Sequence, residues 1–227
     1  MTIANRTVLV PGADRGIGPA ALLVTLGIAS ASWVLAIRQM TRMDMGVATR
    51  LGSFRFFVVS WVLMMAAMML PGAVPAVVRR AHAIGRARAV PLFIGSYLAV
   101  WTLVGLAVYA LYRPHESVAA GVVAIAAGGY ELTPLKQRCR RRCRESVGSG
   151  FEFGLYCVGS SIGLMLILVA LSVMSIGWMI LVSIVVLAQK LLPRRASLDV
   201  PLALAIIGLG ILIIIEPSSV PGLLPTM

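Results

Sequence analysis

Acidic residues are scarce in this chain: eight Asp and Glu stand against twenty Lys and Arg in 227 residues, for a formal charge of +12. Cysteine is scarcer still. The three thiols, Cys139, Cys143 and Cys157, are too few for a disulfide framework, and an odd count leaves one over. Aromatic residues make up only 7% and do not interleave with the basic clusters, so the positive charge is not a nucleic-acid footprint. The most telling absence is of charge itself. Ala20–Ile37, Phe56–Val78, Val90–Leu111, Phe153–Val173, Ile176–Leu187 and Val200–Ile215 contain no ionisable Asp, Glu, Lys or Arg.

These uncharged runs are apolar. The chain is 59% hydrophobic, with a mean hydropathy of +0.96, more than a soluble domain can bury. At about 1.5 Å rise per residue, most runs cover much of a hydrocarbon core roughly 30 Å thick. Backbone polar groups in lipid must bond within their own segment, so the runs read as membrane helices. The fold expected is therefore an all-α polytopic transmembrane bundle, with the lipid bilayer as its first partner. It divides into an N-terminal polar segment (1–19), one membrane domain (20–215) and a tail (216–227) rich in proline. Ala29-Ser30-Ala31 could pass for a signal cleavage site, but the apolar run continues to Ile37, which marks a retained first helix.

The number of crossings turns on Val118–Ala127, a short apolar run leading into Gly128-Gly129-Tyr130-Glu131. A helix over 114–135, begun by Pro114 and ended by Pro134, gives seven crossings with fifteen basic residues inside and five outside. Without it there are six, and the best split is fourteen to six. Seven is the preferred count. Both arrangements put the Arg-rich connection 136–152 on the cytosolic side of a bacterial-type plasma membrane, where thiols stay reduced.

Val8–Gly18 has the outline of the glycine-rich turn of short-chain dehydrogenases. That turn needs a strand before it and a dinucleotide-binding fold after it, whereas here a membrane run follows and no Tyr-x-x-x-Lys pair exists. It is a polar turn before the first helix. Glu131, the one acid inside a predicted span, has no evident catalytic partner, and the chain is read as not an enzyme. Glu131 can instead pair with Lys136 about one helical turn away. Lys190 can snorkel to the interface, and His82 reads as a solvated loop histidine.

Sulfur is the remaining signal. Met64 and Met68 stack at i, i+4, as do Met65 and Met69, before Pro71 and Pro75, which should kink their helix. Met40-x-x-Met43-x-Met45 forms a further cluster in a polar connection. In Lys136–Cys143 the two thiols lie one helical turn apart among arginines that favour thiolate. Cys157 falls one turn inside the next run. Thioethers and thiolates suit Cu(I), and thiolates also suit Zn(II). The competing reading of each cluster is packing alone.

Five blocks within roughly 55–193 resemble, in order and spacing, the DUF2182 group of predicted metal-binding integral membrane proteins: Met65–Pro71, Gly95–Trp101, Tyr130–Lys136, Tyr156–Gly159 and Gln189–Leu191. The resemblance implies a membrane bundle that binds a metal ion. The family often reads Tyr-Cys-x-Gly-Cys-Cys where this chain has Cys157, Ser160 and Ser161, and Glu-Lys where it has Gln189-Lys190. The chain thus lacks two thiols and a carboxylate of that pattern.

The expectation is soft-metal, copper-like handling. Cys139, Cys143 and Cys157 would form a cytosolic-edge site, with Met64, Met65, Met68 and Met69 lining a route or second site. The alternative is a non-catalytic scaffold or partner subunit whose sulfurs only pack. A small-solute transporter fits less well, because no midplane charge pair and no inverted repeat are visible.

Overall fold

A computed structural model describes residues 14–40, 53–85, 89–111, 117–145, 148–172, 176–192 and 196–217. It bears out the all-α class: the described residues form eight helices and no strand. They are α1 (Asp14–Met40), α2 (Phe54–Ile84), α3 (Ala89–Leu111), α4 (Ser117–Glu131), α5 (Pro134–Glu145), α6 (Gly150–Ser172), α7 (Ile176–Leu191) and α8 (Ala196–Ile215). Met43 and Met45 of the Met40-x-x-Met43-x-Met45 cluster, Pro114 and the end of the tail lie outside the described residues, as do residues 8–13 of the expected polar turn; its residues 14–18 are not a turn before the first helix but the opening of α1.

The expected seven crossings, or six, are not what the helices provide. Among the described residues, four helices are long and apolar enough to cross a bilayer alone: Gly16–Gln39, Phe54–Ile84, Ala89–Leu111 and Gly150–Leu171. A fifth crossing exists only if α4 and α5 count together, and their axes bend by 64°. Pro134 explains the difference. It does not end a helix over 114–135; it opens α5, with Thr133 as the cap whose Oγ1 accepts the Lys136 N–H at 3.4 Å. Downstream of that bend the chain is too charged to continue through hydrocarbon. α7, with 16 residues, reaches only about 24 Å at 1.5 Å per residue, short of the roughly 30 Å of a bilayer core.

α2 and α6 are the central helices. α2 packs on α1, α3 and α7, while α6 packs on α3, α4, α5 and α7. Their apolar windows are each 61% buried, against 28% for α1 and 33% for α3. The peripheral helices accordingly turn Leu23, Leu92 and Leu103 outward, as lipid-facing surfaces do. α2 runs unbroken through Pro71 and Pro75 and stops at Gly85, whose positive φ of 65° lets its N–H reach back to Ala81 at 2.9 Å.

α4 and α8 meet along small residues. A methyl group on Gly121 would lie 2.7 Å from the Gly210 carbonyl oxygen, and one on Gly210 would lie 2.7 Å from that of Gly121. Further along α4, a methyl group on Gly128 would lie 3.0 Å from the Ala203 carbonyl oxygen of α8, so the close approach continues along the seam. Close backbone approach through small side chains is how helices associate in lipid, where apolar side chains gain little from leaving a medium as oily as themselves.

Candidate metal centre

α5 buries one stripe of its surface. Lys136, Arg140 and Cys143 recur at helical spacing and are buried, while Arg138, Arg141 and Arg142 face outward. Buried cations need partners, and each finds them on α4, α7 or α8. Lys136 forms an ion pair with Glu131. Gln189 joins both, donating to Glu131 at 2.9 Å and accepting from Lys136 at 3.2 Å. Arg140 donates to the Gln189 carbonyl at 2.8 Å and to Asp199 at 2.7 Å. Arg144 donates to the Lys190 carbonyl at 3.0 Å and also to that of Leu192. The last carbonyls of a helix have no intrahelical donors; here two arginines of α5 supply them and so fix the end of α7.

Fixing that end places Lys190. Its ammonium donates to Cys157 Sγ at 3.0 Å and lies 3.9 Å from Met69 Sδ. The Phe153 ring centroid is 6.0 Å away. Gly72 makes room for the stem, since a methyl group there would lie 2.5 Å from Lys190 Cδ. Cys157 is fully buried and also contacts the Tyr97 hydroxyl at 3.2 Å. Cys143, also buried, lines the same cavity wall as Lys190 and lies within electrostatic reach of Cys157. Four helices and α5 thus bring two thiols, one thioether, one phenol and one ammonium to a single locality.

This locality opens onto a cavity of about 370 Å³ lined by Gly72, Ala76, Arg79, Cys143, Arg144 and Lys190, among others. Arg79 in turn donates to the Arg144 carbonyl at 2.8 Å. Among the described residues the lining is cationic and holds no carboxylate.

The sequence candidates separate accordingly. Cys143 and Cys157 come together. Cys139, half-buried, lies on a different line of α5, where its sulfur fills the space a methyl group on Gly159 would occupy, at 2.6 Å. Among the described residues, no three His, Cys, Asp or Glu side chains converge on one point, so the three thiols do not form a common cluster. Met64, Met65 and Met68 are buried in the apolar core, and only Met69 reaches the thiol locality. The Glu131–Lys136 pair forms as the sequence suggests. His82 lies in the last turn of α2 rather than in a loop, with its ring against Gly18 of α1.

Sequence reasoning assigned no role to Tyr97 or Gly72, and left Lys190 at the interface. Lys190 had a signal, a charge directly after an apolar run. Tyr97 fell only within the Gly95–Trp101 block of the resemblance and Gly72 in no block, because their roles depend on a partner helix.

The donor set suits a soft cation. Thiolates and a thioether prefer Cu(I), which accepts two or three sulfur ligands, whereas structural zinc sites use four. A family model described as "PpoB2: Copper chaperone" matches residues 58–213, a stretch containing every residue of this locality. No curated protein and no solved structure matches the chain.

Proposed function

Because the chain belongs to the PpoB2 copper-chaperone family, we propose that it is a multi-pass plasma-membrane protein that binds Cu(I) as cargo at Cys143 and Cys157, with Met69 as a third, weaker sulfur donor, and passes it on without catalysing a reaction. The observation that carries this reading is one ammonium, Lys190, in contact with both the buried Cys157 thiol and the buried Met69 thioether, at the wall of a cavity that the second buried thiol, Cys143, also lines. An isolated core cysteine packs as a small hydrophobe and needs neither a second sulfur nor an ammonium. The blocks within 55–193 that resemble DUF2182 fall in the same stretch and support the same reading.

The chemistry follows from the residues. Thiolate is the form that ligates metal, and cations nearby favour it. Lys190, Arg79 and Arg144 supply positive charge at the cavity wall. Tyr97 and Lys190 hold Cys157 in place through the hydrogen bonds to its sulfur. A site of two strong donors and one weak one releases its ion more readily than a closed four-thiolate cage, which is what a carrier requires. In this reading the Arg-rich α5 faces the cytosol, so the cavity exchanges copper on that side.

The test is Cu(I) binding by the purified full-length protein in detergent or nanodiscs, measured by competition with a chromophoric Cu(I) chelator. One bound ion per chain, lost when Cys143 and Cys157 are both replaced by serine and retained when Cys139 alone is replaced, is the expected result. Equal binding by the wild type and the double variant would sink the site.

A further inference from the structure

The charge around the two thiols does not balance, and the imbalance has a direction. Lys190 approaches Cys157 at 3.0 Å and, among the described residues, forms no ion pair with a carboxylate; its contacts are sulfurs, the Phe153 ring and the cavity. The carboxylates that could have neutralised it are committed elsewhere: Glu131 is held by Lys136 and Gln189, and Asp199 by Arg140. Arg79 and Arg144, the other charged residues on the cavity wall, are also cations.

We infer that Lys190 is a specificity-determining residue whose fixed positive charge tunes the Cys143–Cys157–Met69 site for a monovalent soft cation and against divalent ones. The inference rests on the copper reading above and deepens it. On binding, both thiols lose their protons to water, two metal–sulfur bonds form, and no electron is transferred. A Cu(I) ion between two thiolates leaves one negative charge, which the ammonium cancels. A divalent ion between the same thiolates is already neutral, and the ammonium then adds an uncompensated positive charge. In a partly desolvated site such a difference is weakly screened. Lys190 need not leave its place to do this, because a bound thiolate still accepts a hydrogen bond. Gly72 and the arginine caps on the end of α7 hold the ammonium where this compensation is strongest.

The experiment compares Cu(I) and Zn(II) affinities of the full-length protein in nanodiscs, each by chelator competition, for the wild type, Lys190→Met, Lys190→Arg and Gly72→Ala. Lys190→Met should lower the Cu(I)-to-Zn(II) affinity ratio by about a hundredfold, the scale set by removing one nearby charge from each of two complexes of different charge. Lys190→Arg, which keeps the charge, should restore most of the ratio. Gly72→Ala pushes the stem aside without removing charge and should lower the ratio by about tenfold. An unchanged ratio in Lys190→Met, or in Gly72→Ala should the first variant not fold, overturns the inference while leaving Cu(I) binding intact. Absence of Cu(I) binding by the wild type would overturn the proposed function instead.

Discussion

Gln189 and Lys190 are neighbours in sequence, yet they belong to two opposite kinds of buried polar site. On the Gln189 side every charge meets its opposite: Glu131 with Lys136, Asp199 with Arg140, and the Gln189 amide between them. On the Lys190 side an ammonium meets sulfur, an aromatic ring and a cavity. A step of one residue along a helix turns the side chain by about 100°, enough to send the two into different surroundings. The first site is closed and hard, and its role is to join α4, α5, α7 and α8. The second is soft and open, and its unspent charge and sulfur leave it capacity for a ligand. Buried polar groups are costly, so both demand a reason; the reasons differ.

Breaking the closed site should give the largest effect. Glu131→Ala leaves the Lys136 ammonium buried without its partner, and about 3–5 kcal/mol of stability should be lost, read as a shift in denaturation of the detergent-solubilised protein. Cu(I) affinity in the surviving folded fraction should stay within about threefold of the wild type, a change of under 1 kcal/mol; a larger loss would show that the two sites act as one. Arg144→Met touches the boundary between them. It removes the donors to the Lys190 and Leu192 carbonyls and should cost about 1–3 kcal/mol, as hydrogen bonds that involve a charged group do, with Cu(I) binding weakened as well.

On the open side the effects should appear in binding. Met69→Leu keeps the volume and removes the thioether. Roughly tenfold weaker Cu(I) binding, about 1.4 kcal/mol, is expected, whereas Met65→Leu, one turn away in the apolar core, should leave the affinity where it was. Equal behaviour of the two methionines would remove Met69 from the donor set. Tyr97→Phe should have the smallest effect. Deleting a hydroxyl that contacts Cys157 at 3.2 Å should change stability or affinity by about 1 kcal/mol, seen in the same titration.

The legibility of these features from sequence follows the same division. Uncharged runs announce helices because hydrocarbon tolerates nothing else, and α1, α2, α3 and α6 lie where those runs predict. The Glu131–Lys136 pair was readable because its members are five residues apart. The count of crossings was not, since whether a proline ends a helix or begins one depends on what the chain does after it; Pro134 begins α5 with a 64° change of direction. The thiols were legible as candidates and illegible as a set. Helical spacing groups Cys139 with Cys143, but burial chooses Cys143 and turns Cys139 toward Gly159.

The sequence alone determined the material: apolar runs that form helices long enough to cross a bilayer, basic clusters between them, and a few sulfurs whose softness suits copper. These are properties of residues and their immediate neighbours, so they can be read locally. Only the tertiary structure decided which sulfurs meet and which cation joins them. Met69, Cys143, Cys157 and Lys190 come from four helices, and their meeting depends on how α5 bends under the bundle and caps α7, a matter of packing that no spacing along the chain records.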